Sequence, residues 1–208
     1  FNSIRGFEKY VQGKPAEEVT RIVTRICGIC PWHHHLSSTK AVDACFSAEV
    51  APAGHILREC MQNMAQINDK ILHFYFLAAP DFVMGPDADY SVRNVIGIAQ
   101  AAPDLAKQVI QMRQLGQMMM ERFAGKVIHP IAAVPGGFAK PMSASQRDEL
   151  VKDTDTLLEF AKFTMNHAKE NIFPQYLEEV TSLGTITTGF IGTVDKNGSL
   201  NFYDGDIR

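Results

Sequence analysis

The 208-residue chain contains no apolar stretch approaching the ~18 residues that a membrane-spanning helix needs, so direct membrane insertion is not expected. It contains no basic run either: 20 Lys plus Arg against 23 Asp plus Glu leave a net charge of −3, which argues against nucleic acid as a partner. Cysteine is scarce, with 4 residues (Cys27, Cys30, Cys45 and Cys60), too few for a secreted disulfide scaffold. The single C-x-x-C has no second C-x-x-C and no H-x-x-x-H to complete a closed zinc site. There is no internal repeat and no low-complexity segment. What remains, 46% hydrophobic and 21% charged residues, is the balance of a folded globular chain. The chain begins at Phe1 rather than Met and stops at Arg208 in a β-prone stretch, and so reads as an internal fragment of a longer protein.

The hydrophobic pattern is mainly α. Pro15-Ala16-Glu17-Glu18 opens a helix whose stripe Val19, Ile22, Val23 and Ile26 delivers Cys27, and Gly28 and Pro31 place the cysteine pair on a turn. Ser37-Ser38 offers an N-cap for a helix through Ala41, Ala44, Cys45 and Ala48, and Pro52 opens the next one. From there Leu57, Cys60, Met64, Ile67, Ile71, Phe74 and Ala78 recur in steps of three and four, the strongest periodic signal in the chain. Pro103-Asp104 begins another helix with Leu105, Val109, Met112, Leu115, Met119 and Phe123 on one face, and Met118-Met119-Met120 reads as packing between helices. Residues 125–142, around His129-Pro130 and Pro135-Gly136-Gly137, read as a long ordered loop, a feature that is often functional. Ser143 or Ser145 caps a helix carrying Leu150, Leu157, Ala161, Thr164, Ala168 and Ile172. After Pro174, Thr185–Thr188 and Leu200–Tyr203 are β-prone and joined through a hairpin-type turn at Asp195-Lys196-Asn197-Gly198. The expected organisation is a helical body over 1–174, which holds the cysteine pair, and the start of a small β region over 175–208.

Two thiolates separated by two residues can converge on one metal, and soft sulfur selects zinc, copper(I), iron–sulfur or nickel–iron chemistry over magnesium or calcium. Arg25, His33, His34 and His35 lie close in sequence and can favour thiolate formation. Cys45 and Cys60 read as ordinary buried thiols. Taken alone, the C-x-x-C also permits a structural-zinc or thiol-redox module.

The string Arg25-Ile26-Cys27-Gly28-Ile29-Cys30-Pro31-Trp32-His33-His34 resembles the R-x-C-G-x-C-x-x-x-H signature of the large, catalytic subunit of nickel–iron hydrogenases. Arg5-Gly6-Phe7-Glu8, His73-Phe74-Tyr75 leading to Asp81, and His129-Pro130 before Gly136-Gly137 agree with the same family in the same order. The resemblance implies the helical bundle of that large subunit with a small β appendage, both in one structural domain, and that the body over 1–174 carries the N-terminal half of a metal site. It implies that Cys27 is a terminal thiolate on nickel, that Cys30 bridges nickel and iron, and that His34 is a hydrogen-bond donor towards the bridging sulfur. Glu8 matches a carboxylate ligand of a separate magnesium or second iron, and Asp81 a carboxylate above the active site. His129 resembles a loop histidine near the electron-transfer subunit, whereas His33 and His35 read as surface or packing residues.

The activity implied is heterolytic cleavage of H2 at a nickel–iron centre with CO and CN ligands on iron. Electrons would leave through iron–sulfur clusters in a small partner subunit, then through a further subunit of the flavin or heterodisulfide-reductase type. Within the family, His33-His34-His35-Leu36 and Asn201-Phe202-Tyr203-Asp204-Gly205 look closest to cytoplasmic enzymes of the NAD(P)-linked or methyl-viologen-reducing (F420-non-reducing) types. A homologue of the complex I quinone-site subunit is the other relative to weigh, and retention of Cys27 and Cys30 argues against it. The family completes its metal site with a second cysteine pair and a pocket arginine from its C-terminal portion, and its proton-transfer glutamate precedes Arg-Gly-Phe-Glu. None of these stands in residues 1–208, so this chain alone is expected to be inactive.

Overall fold

A computed structural model describes residues 4–208, and the chain divides into two compact units after Phe163. The first unit opens with α1 (Gly6–Val11) and α2 (Ala16–Ile22), and α2 tightens into a 3-10 turn over Val23–Arg25. Then come α3 (Pro31–Phe46) and α4 (Pro52–Leu72), the latter running on through a π-helical segment, His73–Ala78, into α5 (Ala79–Val83). α6 (Val95–Ala101) and α7 (Pro103–Ala124) lead to a hairpin of β1 (Ala133–Val134) and β2 (Gly137–Phe138), followed by the long α8 (Ala144–His167), which crosses the division. No described helix is long and apolar enough to cross a membrane.

Local chemistry explains most of these boundaries. Proline occupies the first turn of α3, α4 and α7, where its fixed φ suits a helix and its missing N–H costs nothing. Asn94 caps α6, its side chain accepting from Ile96 N and Gly97 N at 2.9 and 3.1 Å. Of the two candidate caps of α8, Ser143 is the one used: Gln146 N donates to its hydroxyl at 3.2 Å while the Gln146 side chain accepts from Ser143 N at 3.0 Å. The expected cap at Ser37-Ser38 is corrected. α3 starts six residues earlier at Pro31, and Ser38 sits inside it, its hydroxyl turned back on the His35 carbonyl at 2.9 Å.

The apolar core joins α4, α7 and α8: Ile71, Tyr75, Val109, Met119, Leu157 and Phe160 are buried together, and the Tyr75 and Phe160 rings stack 5.5 Å apart. Met119 and Met120 pack inside, whereas Met118 is exposed. The predicted seam of α4 is displaced. Leu57, Cys60, Met64 and Ile67 are only half-buried, and the fully buried stripe is Gly54, Arg58, Met61, Ala65, Asn68 and Ile71. Two polar side chains in that stripe, Arg58 and Asn68, move the most buried face by one residue from where hydrophobicity places it. Cys45 is exposed rather than buried, and Cys60 is half-buried.

The 125–142 stretch is ordered by α3. Trp32 Nε1 donates to Val127 O at 3.0 Å, the Thr39 hydroxyl reaches Ala133 O at 3.5 Å, and Ala133 N donates to His35 Nε2 at 3.2 Å. The Asp43 carboxylate accepts from Gly136 N at 2.6 Å and from buried Arg58 at 2.5 Å. Arg58 in turn donates to Val134 O and Gly137 O at 2.7 and 3.0 Å. Residues 32, 35, 39 and 43 share one face of α3, so this is a polar ladder that satisfies the buried carbonyls and amides of a loop. Pro135 and Gly136, the latter at φ 80°, turn the hairpin.

In the second unit a π-helical stretch, Ala168–Ile172, precedes α9 (Phe173–Ser182), and β3 (Thr193–Val194) pairs antiparallel with β4 (Asp206–Ile207). The predicted turn forms, with Gly198 N bonded to Asp195 O at 3.0 Å and Val194 bridging to Leu200. The predicted strand at Thr185–Thr188 does not, and Asn201 instead folds 201–204 into a turn through Tyr203 N and Asp204 N at 2.8 and 2.9 Å.

Candidate metal centre

Cys27 follows the 3-10 turn that ends α2, and Cys30 is the residue from which α3 starts. Thr24, wholly buried, bonds its hydroxyl to Arg21 O at 2.7 Å and finishes the tightening. The four-residue turn folds back on the first sulfur: Ile29 N and Cys30 N both donate to Cys27 Sγ at 3.4 Å. The Cys30 thiol is within hydrogen-bond reach of the same sulfur. These donors hold the Cys27 thiol below its ordinary range, whereas burial, followed by the neighbouring Cys27 sulfur, pushes Cys30 up to about 11. Neither cysteine is in a disulfide. Gly28 lies outside the left-handed region and a Cβ there would meet nothing within 4 Å, so the bend itself does not demand glycine.

The structure brings some expected residues to this turn and leaves others apart. His34 is half-buried on the first turns of α3. Its neighbour His33, expected to be a packing residue, is the one engaged: its ring meets Gln62 Oε1 at 2.9 Å and Asp69 Oδ2 at 3.0 Å, and Asp69 raises its basicity. Asp69, unmarked by any sequence motif, stands close enough that its charge opposes ionisation of both Cys27 and Cys30. Its one legible signal is the seven-residue spacing from Gln62, which puts both side chains on the same face of α4. Asp81 lies in the first turn of α5, exposed, with its carboxylate 3.7 Å from Arg93 Nε. Glu8 is exposed on α1 and paired with Arg5. His129 has a left-handed backbone, φ 58°, a buried Nδ1 with no partner among the described residues, a bond to the main chain of Thr24, and the charge of Arg25 nearby.

Two convergent sulfurs fit half of a nickel–iron coordination set, because soft thiolates are the donors such a site uses. Among the described residues no group of three or more His, Cys, Asp or Glu side chains gathers as a closed ligand set. Glu8 provides one hard oxygen donor, where magnesium needs several.

Comparison with known proteins meets this geometry. The chain is 50% identical over 206 residues to a vhu subunit of the F420-non-reducing hydrogenase of Methanocaldococcus jannaschii, an alignment covering 99% of the chain and 49% of the relative. It is 29% identical to the HoxS beta subunit of the NAD-reducing hydrogenase of Cupriavidus necator, over 98% of the chain and 44% of the relative. In three dimensions it matches the crystal structure of an NAD+-reducing NiFe hydrogenase in the H2-reduced state with a TM-score of 0.90 and 36% identity, over 98% of the chain and 45% of that one. The chain thus spans about half the length of the curated relatives it matches. The family model for nickel-dependent hydrogenases matches residues 5–109, the stretch that holds the cysteine turn, His33 and Asp69, and the chain belongs to that family.

Proposed function

We propose that the protein to which this chain belongs is the catalytic, large subunit of a nickel–iron hydrogenase that cleaves H2 reversibly, and that residues 1–208 supply one half of its metal site. The observation that carries the reading is the Cys27–Cys30 turn, with two free sulfurs converging inside the region matched by the family. Nickel and iron held there would polarise the H–H bond and take up its electrons.

The chain's own groups then have distinct tasks. Cys27 and Cys30 would hold the metals as thiolates, Cys27 in the terminal role and Cys30 in the bridging role, and Cys27 ionises the more readily because three donors already face its sulfur. The α3 helix holds Cys30 at its N-terminus and sets the direction of both sulfurs. His34 serves as a donor towards Cys30, Asp81 as a carboxylate above the site and Glu8 as one ligand of a separate magnesium or iron. CO and CN complete the iron, and the whole subunit is the long-helix bundle of its family, of which 1–174 contributes the helical body and 175–208 a β region. Electrons pass to a small iron–sulfur subunit, then onward to a flavin-type or heterodisulfide-reductase-type partner in the cytoplasm; an NAD-reducing hydrogenase stands among the relatives. Neither a quinone-site homologue nor a zinc or thiol-redox module finds support among the relatives.

The complete protein, matured with its partner subunits, is expected to contain nickel and iron and to reduce a dye with H2. Cys30→Ala is expected to abolish nickel incorporation as well as turnover, and a wild-type preparation without nickel would refute the reading. The isolated 208-residue chain is expected to show no H2-dependent dye reduction.

A further inference from the structure

We propose that His33 is a positioning residue that fixes the Asp69 carboxylate beside the cysteine turn. The inference rests on the reading of that turn as the nickel site and adds to it a pair of residues that no motif marks.

His33 is tied to the site by its backbone, since its N–H donates to Cys30 O at 3.1 Å in the first turn of α3. Its ring is then fixed at both ends by α4. Nδ1 faces Gln62 Oε1 at 2.9 Å and Nε2 faces Asp69 Oδ2 at 3.0 Å, two partners placed two helical turns apart on one face. A ring held at both nitrogens has one orientation, and it transmits that constraint to the carboxylate. Both partners are mostly shielded, His33 at 25% and Asp69 at 21% side-chain exposure, so water competes weakly for the bond. His33 meets the Asp69 carboxylate directly, and the Arg113 guanidinium acts on it only through its charge. Asp69 in turn is the carboxylate whose charge reaches both sulfurs. Two hydrogen bonds thus join the turn to the carboxylate through one residue: the His33 N–H donates to Cys30 O at 3.1 Å and its ring meets Asp69 Oδ2 at 3.0 Å, so the imidazole sets where α4 presents its negative charge. Partners of this kind are typically worth about 10–100-fold in metal affinity or activity.

The two ring nitrogens can be separated by substitution. Glutamine at 33 can place an amide nitrogen near the position of Nε2 and keep the Asp69 contact, whereas asparagine can replace only Nδ1 and its contact to Gln62. In the complete, matured enzyme, His33→Asn is expected to retain nickel, to lower H2-dependent dye reduction about 10–100-fold, and to shift the nickel electron paramagnetic resonance spectrum as Asp69→Asn does. The double variant should be no slower than Asp69→Asn alone, because the two residues act as a unit. His33→Gln should keep the wild-type spectrum and stay within about threefold of the wild-type rate. Wild-type rate and spectrum in His33→Asn, or losses that multiply in the double variant, would overturn the proposal. Should His33→Asn fail to assemble, His33→Gln decides alone: a wild-type spectrum supports the proposal, and the Asp69→Asn spectrum overturns it. A wild-type enzyme lacking nickel overturns both this inference and the functional reading beneath it, whereas a nickel-loaded, active wild type with an indifferent His33 overturns only the inference.

Discussion

His33 and His35 stand two residues apart on α3 and face opposite kinds of surroundings. His33 looks across to α4 at a half-open site, where Asp69 raises its basicity. His35 is buried among the strands of a hairpin, where desolvation lowers its basicity although Nδ1 donates to Thr20 O at 2.9 Å. The first face of the helix carries a single charge partner close to the candidate ligands. The second carries a ladder of bonds to main-chain groups of the 125–142 loop. One helix thus divides its work by angle: a stabilising face pins it in place, and the face so held presents the chemistry.

The comparison breaks most severely at the foot of the ladder. Replacing Arg58 by Ala leaves the Asp43 carboxylate buried without its cation and frees the Val134 and Gly137 carbonyls. We expect a loss of about 3–5 kcal/mol in the denaturant stability of the complete protein. The paired change Asp43→Leu with Arg58→Met removes the unpaired buried charge but leaves Gly136 N and the two carbonyls without these partners, so it should recover only part of that loss. Equal damage from the single and the double change would show that the ladder is held by shape and not by charge.

A second test separates the two histidines by acid. The folded-state pKa of His35 is lowered relative to the unfolded chain, so the unfolded state binds the proton more readily. The contribution of His35 is fully present above the unfolded value of about 6.5 and is lost as pH falls through the lowered folded value. Melting temperature should therefore fall from pH 7 towards pH 5 more steeply in wild type than in His35→Asn, which cannot take up the proton. Parallel acid limbs in the two proteins would remove His35 as the cause.

The smallest effect is expected at the top of the ladder. Trp32→Phe keeps the buried aromatic body and loses the bond to Val127 O, at a cost of about 1 kcal/mol. A loss several times larger would mean that the indole shape, rather than its N–H, holds the loop.

What can be read from the residues, and what cannot, follows the same division. The cysteine turn, the proline-initiated α4 and α7 and a cap at Ser143 or Ser145 are legible because each is written in neighbouring residues. The place of Arg58 in the core is not, since hydrophobic periodicity treats a charge as surface and only the long-range partners Asp43, Val134 and Gly137 make its burial tolerable. Asp69 escapes for a related reason. It sits in the polar run Asn68-Asp69-Lys70, whose role depends on which side chain meets the His33 ring, while Asp81 carries the more familiar string. The N-terminus of α3 is misplaced by sequence because a proline such as Pro31 ends one helix as readily as it starts the next.

The ladder also has a consequence in time. Its bonds from α3 to the loop join residues 93 to 98 positions apart in sequence, and contacts of such separation close late, after local helices have formed. During synthesis, which delivers domains from the N-terminus onward, the cysteine turn emerges long before the hairpin that buttresses its helix. The scaffold of the sulfur pair is therefore a late product of folding, although the two cysteines are made well before the hairpin.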